Sequence, residues 1–432
     1  MEVTTRSRFK DYLFIMILGI VFITFGLINT GVKESFEGLI RILTTPDGLI
    51  TDFFVQGNIG GAFLNSGLLL IIATLLFLVF KKDMSGQVLA SLFLFGGFAL
   101  FGKNLINVWP IIIGVFIFSL IKKEDFKDLI ATALMGCTMA PAVSEVLFYP
   151  GLNLGVAVIA SLSLGIFIGL VLPLVSRVAF NFHDGFNLYN IGFTGGIILT
   201  VVVSILKVFG FNVKTRELWS TGNNELFAWF LIIIFIALII YGFTCEKEIK
   251  KKLKQITIST GAAPSDFYTN YGRGATLVNM GLLGILAVIF ILIVGASLNG
   301  PTIGGVLTIV GFGAAGKHIR SVSYILFGAL LGQIFHMWDL TQPMIILGAL
   351  FATGLSPIAG AYGPIFGMMA AIVHISVVQN TGELHFGLNL YNNGFAEGMV
   401  ALFMNGFVKI LGFKHQTDPL IRKIVEKEEG IR

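Results

Sequence analysis

Charged side chains are scarce in this chain of 432 residues. Asp, Glu, Lys and Arg together make up 12% of it, about half of the roughly 25% that is usual in soluble domains. Hydrophobic residues make up 55%, and the mean hydropathy is +0.88. A soluble core cannot hold an apolar surplus of this size, so the composition excludes a soluble enzyme, a disordered chain and a nucleic-acid-binding protein. It predicts a polytopic protein whose partner is the lipid bilayer.

Cysteine and the common catalytic motifs are also lacking. The two cysteines, Cys137 and Cys245, lie far apart in or beside apolar segments and have no metal or redox spacing. The histidines match no metal-binding signature, and neither a Gly-x-Ser-x-Gly elbow nor a Walker loop occurs. We therefore expect no metal, no cofactor and no ATP-driven pump.

Long apolar segments occupy most of the chain. A membrane-spanning helix needs about 20 mostly apolar residues, and shorter segments can be half-helices or re-entrant. Seven segments fall in each half of the chain, and 87–101 and 302–316 are short and rich in glycine. The predicted segments are 12–29, 62–80, 87–101, 105–121, 128–148, 154–176 and 188–209, then 227–244, 276–296, 302–316, 321–337, 343–361, 363–379 and 390–412.

Positive charge predicts the orientation of these segments, because Lys and Arg concentrate in cytoplasmic loops. With the amino terminus inside, successive crossings place the basic junctions on the cytoplasmic side. These junctions carry Lys81, Lys82, Lys122, Lys123, Arg177, Lys247 and Lys250. We therefore predict a multi-pass protein of the cell membrane with both termini in the cytoplasm.

The two halves of the chain repeat each other. The stretch 183–193, HDGFNLYNIGF, recurs as HFGLNLYNNGF at 385–395, 202 residues later. Asn65-Ser-Gly-Leu-Leu recurs at Asn279, and Gly-Lys at 102–103 recurs at 316–317, both at a separation of 214 residues. Collinear matches of this kind indicate a tandem duplication, with a first repeat at 1–215 and a second at 216–432.

An odd number of crossings per repeat would invert the second copy in the membrane. Two inverted repeats with a solute site between them are typical of transporters and channels. The predicted fold class is therefore an all-α polytopic membrane protein of two inverted-topology repeats. Duplication for bundle stability alone remains the alternative.

The duplicated motif supplies polar side chains at membrane depth, where unpaired polar groups are costly. We expect its members to line a solute path, with hydrogen bonding between helices as the alternative. The recurring asparagine upstream of it is assigned to the same path. The predicted path residues are Asn187, Tyr189, Asn190, Asn389, Tyr391, Asn392, Asn65 and Asn279.

Lys103 and Lys317 each follow a glycine at the end of a short apolar segment. They either extend toward the interface or, at the start of the next helix, attract an anion together with the helix dipole. Both are included in the predicted path.

Two acidic residues break the repeat. Glu145 lies in the apolar stretch Ala-Pro-Ala-Val-Ser-Glu-Val-Leu and has no counterpart in the second repeat. One hypothesis is that Glu145 couples transport to H⁺ or Na⁺. The alternative is that it lies near the outer interface. Glu397 aligns with Gly195.

With its duplicated His-x-Gly-x-Asn-Leu-Tyr-Asn-x-Gly-Phe motif, the chain resembles an uncharacterised prokaryotic membrane family, domain of unknown function 1576. The resemblance covers nearly the whole length and implies duplicated halves but no activity. A weaker likeness to urea channels rests on Asn65-Ser-Gly-Leu-Leu and Asn279-Met-Gly-Leu-Leu. Because the Leu-Pro-Phe-Asn signature of that family is absent, the likeness does not identify urea as the solute.

The sequence thus favours a transporter that moves a small polar solute, with an anion left open, between the two repeats. A passive channel is the close alternative. A membrane-embedded enzyme that uses His183 and Asp184 as an acid–base pair is the alternative of another class. Whether the chain forms a homo-oligomer is also left open.

Overall fold

The computed structural model describes residues 5–211 and 216–413 and is almost entirely helical. Its first ten helices are α1 (Thr5–Thr30), α2 (Val32–Leu43), α3 (Phe53–Gln56), α4 (Ile59–Val79), α5 (Gly86–Phe98), α6 (Trp109–Lys122), α7 (Phe126–Gly136), α8 (Ala140–Leu147), α9 (Leu154–His183) and α10 (Asn190–Val208). Ten more follow in the same order: α11 (Asn224–Cys245), α12 (Ile249–Ile258), α13 (Phe267–Tyr271), α14 (Arg273–Ile293), α15 (Gly300–Phe312), α16 (Ile319–Ile334), α17 (Pro343–Phe351), α18 (Ser356–Tyr362), α19 (Pro364–Thr381) and α20 (Asn392–Ile410).

Each predicted apolar segment lies on one of these helices or on a broken pair of them. Within the described ranges, nine helices or broken helices are long and apolar enough to cross a membrane, and four shorter apolar helices accompany them. The chain is therefore a multi-pass membrane protein of two all-α repeats. The exact repeat boundary at 215/216 falls beside the undescribed residues 212–215 and stays a prediction.

One segment in each repeat is a broken helix. A 3₁₀ turn at Cys137–Met139 separates α7 from α8, and a similar turn at Ala352–Leu355 separates α17 from α18. Pro141 and Pro357 lie in the first turn after each break. Proline has no N–H and disrupts a helix interior, but it is tolerated in a first turn, so the two prolines explain why both helices restart at this point.

The short helices α5 and α15 lie at the centre of the fold. Thirteen residues at 1.5 Å each give about 20 Å, which is shorter than a hydrocarbon core of roughly 30 Å. Each helix is followed by a turn with a glycine at positive φ, Gly102 at 90° and Gly316 at 135°. A side chain would strain the backbone there, so the Gly-Lys pairs mark the ends of these short helices.

Equivalent helices of the two repeats run antiparallel, which gives the inverted topology. A Cβ on Gly86, at the start of α5, would overlap the Ala314 carbonyl just beyond the end of α15. A Cβ on Gly300, at the start of α15, would lie 2.5 Å from the Leu100 carbonyl beyond the end of α5. Between α1 and α11, Phe25 near the end of α1 contacts Phe227 near the start of α11, with ring centroids 6.4 Å apart.

Ion pairs bring the basic junctions onto one face of the protein. Lys82 after α4 pairs with Asp128 at 2.6 Å, Arg8 with Asp83 at 2.7 Å, Arg177 with Glu124 at 2.9 Å and Arg273 with Asp11 at 2.8 Å. We call this face, which carries Lys82, Arg177 and Arg273, the basic face. The face across the bundle carries the loop 44–52 and residues 216–220 and is called the opposite face.

Candidate functional site at the repeat interface

The duplicated motifs meet at the centre of the protein, where the first turns of α10 and α20 cross. A Cβ on Gly192 would lie 2.9 Å from the Cα of Gly394, and a Cβ on Gly394 would lie 2.9 Å from the Cα of Gly192. Asn187 Nδ2 donates to the Gly394 carbonyl at 3.2 Å, and Asn389 Nδ2 donates to the Gly192 carbonyl at the same distance. The two repeats are thus related by an approximate two-fold axis through this crossing.

Tyr189 and Tyr391 are buried at this axis and contact each other. Their ring centroids are 4.6 Å apart. Tyr189 packs edge-on against Phe312 at 4.8 Å, and Tyr391 packs in the same way against Phe98 at 5.3 Å. The aromatic pair therefore joins the ends of the short helices to the starts of α10 and α20.

The asparagine that follows the tyrosine of each motif, Asn190 or Asn392, is the first residue of a helix and ties that helix to the preceding one. Asn190 Oδ1 lies 3.0 Å from His183 Nε2, and Asn190 Nδ2 donates to the Ser176 carbonyl at 3.0 Å. Asn392 repeats both contacts with His385 at 2.9 Å and with the Val378 carbonyl at 3.3 Å. Helix-to-helix hydrogen bonding, the structural alternative for this motif, therefore occupies these amides in the state described.

The upstream asparagines hold the ends of the short helices. Asn65 Nδ2 donates to the carbonyls of Ala99 and Lys103 at 2.7 and 2.8 Å. Asn279 Nδ2 donates to the equivalent carbonyls of Gly313 and Lys317, both at 2.8 Å. The C-cap carbonyl, of Ala99 or Gly313, has no intrahelical partner, and the lysine carbonyl lies in the turn beyond the helix. One buried amide therefore satisfies both.

The two lysines are fully buried rather than directed toward the interface. Lys103 Nζ donates to the Leu134 carbonyl at 3.3 Å and lies 5.0 Å from the ring centroid of Phe95. Lys317 Nζ donates to the Tyr189 hydroxyl and, at 2.7 Å, to Thr353 Oγ1. Lys317 is therefore in direct contact with the central tyrosine pair.

Glu397, which was not among the predicted path residues, also lies at this centre. It is fully buried on α20, and its charge interacts with that of Lys317. The signal in the sequence is the interruption of the repeat, since Gly195 occupies the equivalent place. The repeat alone could not show that the carboxylate faces the axis.

Glu145, the predicted coupling residue, lies away from this centre. It is half-buried on α8, where it interacts with Arg216 and Asp47 of the opposite face. The structure therefore does not bring Glu145 together with either lysine, and a coupling role for it stays a prediction.

An open cavity of about 570 Å³ reaches the tyrosine pair from the basic face. Its mouth includes Ser85, Arg177 and Asp266, and its inner wall includes Phe312 and Ala315. Of the predicted path residues, Asn187, Tyr189, Asn190 and Tyr391 line it. Asn389, Asn392, Asn65, Asn279, Lys103 and Lys317 do not, although Lys317 lies directly behind Tyr189.

Two features of the axis favour an anion. Tyr189 and Tyr391 are the N-cap residues of α10 and α20, so the positive ends of two helix dipoles meet there. Lys317 is buried against Tyr189, and Lys103 is buried beside Phe98, which packs on Tyr391. Helix N-termini and lysines together favour an anion.

The geometry does not provide the acid–base pair of the enzyme alternative. Asp184 accepts hydrogen bonds from Lys409 at 3.0 Å and Asn405 at 2.7 Å, whereas His183 bonds to Asn190. The hydrogen bond from Lys409 lowers the pKa of Asp184 below its ordinary value. In the part of the chain that the structure describes, no three His, Cys, Asp or Glu side chains lie close enough to hold a metal ion.

Comparison with known proteins places the chain in a family. No curated protein and no solved structure matches it significantly. The model of the family described as "Protein of unknown function (DUF1576)" matches residues 32–208 and 245–410. These two ranges cover most of the chain and fall one in each repeat, as the predicted resemblance and duplication require. The chain therefore belongs to this family.

Proposed function

We propose that this protein is a membrane transporter that carries a small anionic solute through a site at the axis between its two repeats. The observation that carries the proposal is the convergence of two helix N-termini and the buried Lys317 on a tyrosine pair that an open cavity reaches. Inverted repeats with helix ends at the midplane are a recurrent design of solute carriers. The cavity size suits a small organic or inorganic anion.

The difference between the two faces supports alternating access. The cavity opens on the basic face beside Asp266, whereas the equivalent Asp52 on the opposite face is covered. Ser220 donates its N–H and hydroxyl to Asp52 at 2.9 and 2.5 Å, and Asn299 donates to the Ser220 carbonyl at 3.0 Å. We propose that solute binding moves the two repeats about the axis and exchanges which face is open.

We propose that the protein lies in the cell membrane with its basic face on the cytoplasmic side. Its lysines and arginines agree with the predicted cytoplasmic junctions and with the preference of positive charge for that side. The extreme termini, 1–4 and 414–432, lie outside the described residues, so their cytoplasmic location rests on the sequence prediction.

Thermal stability of the purified protein in detergent, measured against a set of small solutes, tests the proposal first. The probes are acetate, lactate, succinate, inorganic phosphate, urea and glycerol. A ligand present at 100 times its Kd stabilises the folded state by about 2.7 kcal/mol. We expect at least one anion, and neither neutral solute, to raise the Tm.

Two lysine variants make the test specific. Lys317→Gln removes the amine that contacts Tyr189, and we expect it to reduce the anion-induced shift by half or more. Lys33→Gln changes a lysine with a side chain that is 83% exposed on α2, and the shift should remain. An equal shift in both variants, or stabilisation by lipids alone, would contradict the proposal and favour the enzyme alternative.

Uptake of the stabilising anion into proteoliposomes then separates a carrier from a channel. We expect accumulation that depends on an ion gradient and counterflow when unlabelled anion is inside. Equal fluxes with and without a gradient, and no counterflow, would instead identify a passive channel.

A further inference from the structure

Glu397 is the least satisfied polar group of the central site. Its side chain is fully buried, and neither carboxylate oxygen has a hydrogen-bond partner among the described residues. Most buried polar atoms in proteins are hydrogen-bonded, and an ionisable group inside a membrane protein is costly. A carboxylate kept in this state needs a proton, a cation or a ligand to offset its desolvation.

The surroundings hold the carboxylate close to Lys317 without a direct ion pair. A Cβ on Gly354 would overlap Glu397 Oε2 and would lie 2.7 Å from Tyr189 Cδ2, so both side chains use the space that this glycine leaves. Lys317 Nζ donates its hydrogen bonds to the Tyr189 hydroxyl and to Thr353 Oγ1 instead. Glu397 thus interacts with Lys317 through the electric field while its own oxygens stay available.

The first repeat lacks this arrangement. Gly195 stands at the place of Glu397, and Cys137 stands at the place of Thr353. Lys103 contacts a carbonyl and aromatic rings. The carboxylate is therefore present at only one of the two equivalent lysine positions. A role in holding a symmetric bundle together would not require this asymmetry.

We infer that Glu397 takes up one proton for each anionic solute bound at the axis, which makes the protein a proton–anion symporter. The inference rests on the proposed function. Lys103 contacts the Leu134 carbonyl and the rings of Phe95 and Phe98, so Lys317 is the lysine that acts on Glu397. The inference takes this resting pair as an ammonium and a carboxylate, which sum to zero charge. A bound monoanion would leave a net negative charge in a low-dielectric site, and protonation of the carboxylate to the neutral acid restores neutrality. Release of the anion and of the proton returns the starting state.

A proton fits this position better than Na⁺. The nearby oxygens of Tyr189 and Thr353 already accept hydrogen bonds from Lys317, so they present few free ligands to a metal cation. A proton bonds to one carboxylate oxygen and needs no further ligands, whereas a metal cation needs several oxygen ligands.

The other ionisable groups on the elements packed against α20 have partners of their own. His374 bonds to Asn393, His385 to Asn392, His183 to Asn190, Arg177 to Glu124, and Lys409 to Asp184, while Lys207 lies over the ring of Phe386. Tyr189 and Tyr391 face Glu397 across the axis. Lys317 is thus the cation that we expect to govern Glu397.

Proton uptake on anion binding tests the inference directly. The stabilising anion from the solute set is added to the full-length protein in weakly buffered detergent with a pH dye. We expect one proton to be taken up per anion bound. The Kd of the anion should also rise about tenfold per pH unit over the pH range in which Glu397 is a carboxylate in the free protein. Glu397→Gln should bind the anion with no proton uptake and no pH dependence, while the exposed Glu383→Gln should behave as the parent protein.

Infrared spectroscopy supplies a readout that needs no solute. In a pH titration of the protein alone, a carboxylic-acid C=O band should appear and should be missing in Glu397→Gln. Two results would overturn the inference but leave the transporter proposal intact. The first is anion binding without proton uptake in the parent protein. The second is proton uptake that is lost in Glu145→Gln and kept in Glu397→Gln. If no anion binds, the proposed function fails, and the infrared titration still shows whether Glu397 takes up a proton.

Discussion

At the residue scale, the asparagines that end the short helices have a measurable structural role. Asn65→Ala and Asn279→Ala each leave two buried carbonyls without a partner. We expect each to destabilise the protein by about 1–2 kcal/mol and to lower the Tm in detergent by similar amounts, because their contacts are equivalent. Asn29→Ala at an exposed position is the control. A Tm unchanged by Asn65→Ala would contradict this role.

The cation at each short-helix end has a different role in the two repeats. Lys317 contacts Tyr189 in the cavity wall, whereas Lys103 contacts the Leu134 carbonyl. We expect Lys317→Gln to weaken anion binding at least tenfold and Lys103→Gln to weaken it less, through long-range charge alone. Titration calorimetry with the stabilising anion measures both. A larger loss in Lys103→Gln would move the site to the first repeat.

At the scale of elements, glycines set how closely α10 and α20 cross. Gly192→Ala and Gly394→Ala would each put a Cβ 2.9 Å from the partner backbone, which is too close for packed atoms. We expect both variants to lose stability and, since the crossing holds the tyrosine pair, anion binding. Gly406→Ala on the same helix α20 meets no atom within 4 Å and should keep or raise the Tm, because alanine favours a helix by roughly 1 kcal/mol. Equal Tm values for all three variants would show that the crossing is loose.

The loop 44–52 of the opposite face contains a titratable group outside the membrane-spanning helices. Asp47 is fully buried and accepts hydrogen bonds from Asn104 at 2.8 Å, Asn107 at 3.1 Å and Ser144 at 3.0 Å. Burial raises the pKa of Asp47 to about 8, and the charge of Glu145 acts in the same direction, although hydrogen bonds from Ser144, Gln56 and Asn104 lower it. The folded state therefore holds the proton more tightly than the unfolded state.

This difference predicts a pH dependence of stability. Below about pH 4 both states are protonated, and as the pH rises toward about 8 only the unfolded state ionises, so the contribution of Asp47 to stability falls over that interval. Asp47→Asn should remove the effect, so that the Tm of the variant relative to the parent protein rises from about pH 5 to about pH 8. A constant difference across this range would show that Asp47 ionises normally.

At the scale of the whole molecule, the inverted repeats predict unequal access from the two faces. Ser265 lines the cavity of the basic face, and its equivalent Thr51 is fully buried under residues 216–220. In a Cys245→Ser background, with Cys137 buried, a membrane-impermeant thiol reagent should label Ser265→Cys from one side only and Thr51→Cys from neither side. Equal labelling of both would mean that this asymmetry is not the resting state in a membrane.

Much of the architecture could be predicted because it depends on local chemistry. Segment positions follow from apolar runs of sufficient length, and the inversion follows from repeats with an odd number of segments. Gly102 and Gly316 marked helix ends because positive φ is a property of a single residue. The duplicated motif also located the axis, although its asparagines turned out to anchor helices in the state described.

The environment of Glu397 could not be predicted in the same way. Its lack of hydrogen-bond partners depends on Gly354 and Tyr189, which come from distant parts of the chain, and on Lys317 donating elsewhere. Glu145 and Glu397 both interrupt the repeat and look alike in sequence. Only the packing separates the half-buried carboxyl near Arg216 from the fully buried one near Lys317.

The amino-acid sequence by itself thus determined a duplicated, inverted bundle of apolar helices, because hydrophobicity, repeat spacing and glycine turns are encoded over short stretches. The tertiary structure alone decided which polar groups meet at the axis, which of them are satisfied there and which face the cavity opens on. The physical reason is that burial and hydrogen bonding are set by neighbours from both repeats, and a cavity exists only between elements once they have packed.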